Sequence, residues 1–144
     1  MTTSPTVEAT TVEMPAVSMP IFRQLVDRLA AQHPASASRV EAAAAIVFKG
    51  TIREGAVVGE YLVPSCQTPD RFYTTSTFSC DCPDASRNPT LLCKHRAAVE
   101  LLVEASVIAA RQQRERLAAA KSISYQLTPL AEAALAARPR RRSA

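Results

Sequence analysis

Three of the four cysteines and one of the two histidines of this chain fall within sixteen residues, as Cys80-Asp81-Cys82 and Cys93-Lys94-His95. No other feature restricts the possible folds as strongly. Zinc takes four thiolate or imidazole ligands in a tetrahedron. In an extended segment residues i and i+2 point the same way, so Cys80 and Cys82 can present both thiolates to one ion. Pro83 then turns the chain, and ten residues separate Cys82 from Cys93, enough to return with a second pair. Cys93 and His95 fall at the expected start of a helix, where amide groups and the positive dipole end help hold a thiolate ionised. The reading is one Zn2+ per chain on Cys80, Cys82, Cys93 and His95. Buried free thiols with a surface histidine are one rival. A redox dithiol is another, although it leaves Cys93 and His95 unexplained.

Composition points the same way. A chain of 144 residues is one domain, or a small domain with tails. Much of its apolar content is alanine, and it has four Phe, three Tyr and no Trp. Such a core is shallow, and small domains with shallow cores need a disulfide, a metal or a partner. Residues 1–20 contain no Lys or Arg and no apolar run long enough for a signal peptide. No apolar stretch of about 18 residues is present, so no membrane span is expected. The expected location is intracellular, in cytoplasm or in nucleoid or nucleus, where reduced thiols favour a metal over a disulfide.

Three segments organise the chain. Residues 1–20, rich in Thr, Ser, Val and Pro, read as a disordered leader. Residues 21–121 read as a helical and zinc-finger domain with its metal motif at 80–95, and residues 122–144 as a basic tail. From Ile21 to Ala110 nine basic and nine acidic residues cancel, whereas Arg111–Ala144 carries a surplus of six positive charges.

Within the domain, Ile21, Phe22, Leu25, Val26 and Leu29 recur at helical spacing, with Ser18 or Met19 at the cap, Pro20 in the first turn and Pro34 as the stop. Ser38-Arg39-Val40-Glu41 is a capping-box pattern. It opens a second helix with Val40, Ala43, Ala44, Val47 and Phe48 on one face and Gly50 as the C-terminal cap. Val57 to Val63 is β-prone, and Pro64 to Asp70 is a turn. Arg71 to Cys80 alternates, either as one strand or as two with a turn near Thr75-Ser76. Pro83 to Thr90 reads as loop. A long helix follows from near Cys93, with apolar residues on two sides through Ala109, and Thr128-Pro129 can cap a short final helix. The fold class is therefore α+β.

The pattern Cys80-x-Cys82, ten residues, Cys93-x-His95 resembles the SWIM-type zinc finger, CxC followed by a variable gap and CxH. Cys82-Pro83-Asp84, Cys93-Lys94-His95 and Ala98 match the family's usual wording, and the resemblance covers roughly Arg39 to Leu102. The chain departs from the family at Ala85, where an aromatic residue is common, and at Leu91-Leu92, where a Gly often precedes the second ligand pair. The resemblance implies a small zinc-stabilised ββα-like finger, which the helical periodicity above places after helices and before a long C-terminal helix. It also implies a module that binds DNA or a DNA-processing protein.

Arg87, Lys94 and Arg96 flank the metal motif, and Arg138, Arg140, Arg141 and Arg142 form the basic end. All seven are candidate phosphate contacts. Against that reading stands plain solvated surface, with Asp81 and Asp84 offsetting the charge. Cys66 reads as a free thiol, since a tetrahedral site already has its four ligands, and His33 as a helix-end residue. No nucleotide-binding or triad motif is present, and four protein ligands leave no open position on the metal, so the expectation is a non-catalytic module. The alternative is a protein–protein adaptor that self-associates through the 97–110 helix.

Overall fold

The computed structural model describes residues 10–68 and 70–136. The chain divides into two compact units, Met1–Ala109 and Ala110–Ala144. In order, the elements are α1 (Met19–Gln32), a 3-10 turn (Pro34–Ser36), α2 (Ala37–Lys49), β1 (Arg53–Glu54), β2 (Tyr61–Pro64), β3 (Phe72–Thr75), α3 (Pro83–Arg87) and α4 (Lys94–Ala136). The architecture is mixed: helices, a three-stranded antiparallel sheet in the order β1-β2-β3, and a long C-terminal helix.

α1 forms as its periodicity requires. Phe22, Leu25, Val26 and Leu29 are buried, Pro20 lies in the first turn, and His33 closes the helix by donating its N–H to the Leu29 carbonyl. α2 departs from the expected capping box. It begins at Ala37, one residue before Ser38, because the Pro34–Ser36 turn already carries the chain into helical geometry. Glu41 therefore does not reach back to a cap and instead accepts two hydrogen bonds from Arg23 of α1, at 3.1 and 2.8 Å. On its inner face Ile46 is buried, while Phe48 is half exposed and meets the Phe22 ring edge-on at 4.8 Å. Gly50 ends α2 in the left-handed region with φ +61°, a conformation that glycine adopts without steric cost.

The β-prone run Val57 to Val63 is only partly strand. Val57 and Val58 sit exposed at the tip of the β1–β2 hairpin, and β2 starts at Tyr61. β1 has two exposed residues and no alternation, so nothing in the sequence announces it. Val63, Tyr73 and Thr75 are buried. On the opposite parity Arg53 lays its guanidinium over the Phe72 ring at 4.4 Å. β3 stops at Thr75, a turn over Ser76–Ser79 follows, and Cys80 returns to bridge Thr75; of the two readings of Arg71 to Cys80, this is the one with a turn. Part of the expected disordered leader is structured. Thr11 bridges Arg53, Val12 donates to the Ile52 carbonyl, and Val12, Met14 and Val17 pack on the core.

The core of the first unit joins α1, α2, Ile52, Val63, Leu92 and the start of α4. Ala97, Ala98, Val99, Leu101, Leu102 and Ala105 are all buried there. The apolar residues at the start of the 97–110 helix are thus packed inside the chain, and of its large apolar residues Val107 is the exposed one. Arg28 and Glu104 pair between α1 and α4. In the second unit, the expected break at Thr128-Pro129 is absent, and α4 is helical to Ala136. Arg138, Arg140, Arg141 and Arg142 lie outside the described residues. Among the described residues, no helix is long and apolar enough to cross a membrane.

Candidate metal centre

Two folding devices bring the four ligands together. The first is the turn Ser76–Ser79, closed by the Ser76 N–H to the Ser79 carbonyl at 2.8 Å and by the Ser76 hydroxyl accepting from the Phe78 and Ser79 amides. It reverses β3 so that Cys80 faces Thr75, whose hydroxyl lies 3.3 Å from the Cys80 sulfur. The second is a pair of helix starts. Cys82 is the N-cap of α3, with Pro83 in the first turn, and its sulfur accepts the Ala85 N–H at 3.4 Å. Cys93 precedes α4, and its sulfur accepts the Arg96 N–H at 3.5 Å. Each of these buried sulfurs takes the place of a Ser or Asp cap and accepts an amide three residues on, a position that favours the thiolate.

His95 lies in the first turn of α4, 4 % exposed, with its ring against Tyr73 at 4.8 Å between centroids. Neither of its ring nitrogens has a hydrogen-bond partner within the chain. A buried, unpartnered imidazole carries a substantial penalty unless something occupies its lone pair. The three cysteine sulfurs supply the answer: the donor atoms of Cys80, Cys82, Cys93 and His95 all lie within 4.8 Å of one another. A zinc tetrahedron with Zn–S bonds of about 2.3 Å has sulfur–sulfur edges of about 3.8 Å. The set therefore fits a metal ion held by three thiolates and one imidazole.

The thiols are electrostatically unequal. The neighbouring Cys80 thiol, with the Arg96 amide, pulls Cys93 down to about 4 against the opposing effect of burial. The same contact with Cys93, together with burial, pushes Cys80 up. Burial also raises Cys82.

The surroundings fix the ligands to the core. Leu92, at one of the departures from the finger pattern, is buried in the main core, and its amide donates to the Ser36 hydroxyl at 3.1 Å. Arg39 of α2 grips Asp84 of α3 with two hydrogen bonds at 3.0 and 3.1 Å, and this holds the Asp84 carboxyl below its ordinary range. Ala85, at the other departure, packs on the cluster of Tyr73, Cys82 and Cys93. Cys66 is an exposed free thiol outside the centre.

The candidate phosphate contacts separate. Arg87 and Lys94 line one cleft of about 380 Å³ beside the centre, together with Cys82 and His95. Arg96 turns elsewhere: it donates to the Thr77 carbonyl at 3.1 Å and stands 3.9 Å from Glu100. Sequence reasoning missed the roles of Ser36, Thr75 and Tyr73, which carry no motif and reach the site only through tertiary contacts. The Asp of Cys82-Pro83-Asp84 was visible, but its partner Arg39, 45 residues away, was not. Comparison with protein-family models, with curated proteins and with solved structures finds no match.

Proposed function

We propose that this chain is a non-catalytic, SWIM-type zinc module that binds nucleic acid or a nucleic-acid-processing protein inside the cell. The observation that carries the reading is the four-donor cluster within 4.8 Å that encloses a buried imidazole with both nitrogens unpartnered. Zinc supplies a cross-link between the Cys80–Cys82 segment and the start of α4, and charge that holds the thiolates ionised. Four protein ligands close the coordination sphere, which suits structural rather than catalytic zinc. The finger reading is supported by the antiparallel pair β2–β3, which leads into the first ligand pair, and by the helix that starts at the second.

Nucleic acid is favoured over other partners by the two basic residues in the cleft beside the centre and by the surplus of six positive charges in Arg111–Ala144. The test has two readouts. Elemental analysis of the purified protein should find one zinc per chain. Gel-shift titration against single- and double-stranded DNA at two salt concentrations should show salt-sensitive retention. Protein without zinc would end the metal reading. Zinc-loaded protein with no DNA affinity at low salt would shift the reading to a protein partner.

A further inference from the structure

The cleft beside the metal centre has an unbalanced charge. It is walled by α2, the β2–β3 turn, α3 and the first turn of α4, and its charged lining residues are Arg39, Arg87, Lys94 and Asp84. Arg39 and Asp84 satisfy one another through their two hydrogen bonds. Arg87 and Lys94 have no ion pair among the described residues. Three thiolates around a divalent ion would carry one net negative charge, and Asp81, which lies between two of the ligands, is not among the residues that line the cleft. Arg87 is exposed and Lys94 half-buried, and together they give this concavity a positive lining that suits an anion.

The shape of the cleft narrows the anion. At about 380 Å³ it is larger than a carboxylate needs and lies in the range of small-ligand pockets. The Arg87 guanidinium offers a planar fork that suits two phosphate oxygens, and Lys94 offers a point charge. Lys94 is also the first residue of α4, so its backbone N–H belongs to the unsatisfied amides of a long helix's first turn. The two walls meet at the ligand cluster. Cys82 is the cap of the helix that ends at Arg87, and Lys94 stands between the ligands Cys93 and His95.

We infer that this cleft seats a phosphate group of a bound nucleic-acid strand, held between Arg87 and Lys94. The inference rests on the nucleic-acid reading proposed above and says where on the module the strand is gripped. Arg96 does not line the cleft; one of its guanidinium nitrogens donates to the Thr77 carbonyl, and its Nε is buried without a partner.

The experiment uses the full chain with its zinc content measured in every sample. Binding of a short oligothymidylate, with and without a 5′-phosphate, is followed by fluorescence anisotropy across a salt series, with thymidine monophosphate and inorganic phosphate as competitors. Hydrogen bonds to charged groups contribute enough that Arg87→Ala and Lys94→Ala should each weaken binding about tenfold or more. Each should also lower the slope of log affinity against log salt by about 0.7. Full zinc content in both variants shows that the fold is kept, and Lys94→Arg, which keeps the charge, should retain most of the binding. Arg53→Ala, outside the cleft, should bind as the parent does. Zinc-loaded Arg87→Ala and Lys94→Ala variants with unchanged affinity and slope would overturn the cleft while leaving a DNA-binding module in place. A parent protein that carries zinc but ignores the oligonucleotide would overturn the broader reading as well. Displacement of the strand by thymidine monophosphate at equal concentration would reassign the cleft to a free nucleotide.

Discussion

His95 is the residue on which the metal reading turns. Its two unpartnered nitrogens are buried beside Tyr73 and three sulfurs, so truncating it removes a ligand and opens the packed cluster. His95→Ala should abolish stoichiometric zinc, and the module should lose most of the stabilisation a structural zinc provides, on the order of 10 kcal/mol. Elemental analysis and a thermal melt followed by circular dichroism would check it; a variant that keeps both metal and melting temperature would place the ion elsewhere. Cys66 is the control. It is exposed and outside the centre, so Cys66→Ser should change stability by less than about 0.5 kcal/mol and leave metal content intact. A loss of zinc in that variant would mean a different ligand set. Protons compete with zinc for thiolate and imidazole, so affinity should fall as pH falls and the metal should be released on acidification. A chromogenic chelator titration at several pH values reads this directly.

At the scale of elements, the contact between Ser36 and Leu92 does more than its sequence context suggests. The Ser36 hydroxyl accepts a buried backbone N–H from the segment leading into Cys93, joining the α1–α2 connection to the metal loop across 56 residues. Ser36→Ala leaves that amide buried without a partner and should cost about 1–3 kcal/mol, measurable by urea denaturation. An unchanged midpoint would show that water reaches the Leu92 amide. Contacts of this kind divide what was legible from what was not. The ligands were legible because metal chemistry constrains residue type and spacing together. α1 and the first half of α4 were legible because one helical face of each must be apolar. The start of α2 was misplaced because Ser38 and Glu41 satisfy a local pattern, whereas the structure uses Glu41 for a tertiary pair with Arg23. β1 was invisible because two exposed residues held by their neighbours leave no periodic trace. α3 looked like loop because its proline and polar residues are also those of turns; its first turn is capped by the Cys82 sulfur, which accepts the Ala85 N–H.

For the whole molecule, charge and chain order separate affinity from placement. The residues from Ile21 to Ala110 are electrically balanced and the surplus lies beyond them, so the C-terminal arginines should govern the salt response of DNA binding. Deleting residues 138–144 removes four arginines and should lower the salt slope by about 2–4 if all of them meet phosphate. A salt series comparing the deletion with the intact chain checks this, and identical slopes would exclude the tail. The other end of the chain has a different consequence. Thr10–Val12 runs along the free side of β1, and Val12, Met14 and Val17 cover part of the core. A version trimmed to begin at Met19, where the first helix starts, would look tidy on paper. It would uncover a row of backbone donors and acceptors next to bare hydrocarbon, and unpaired strand edges invite other chains to dock. Poor behaviour of such a trimmed protein at high concentration would then reflect a missing cover strip, and the folding of the metal module would not be at fault.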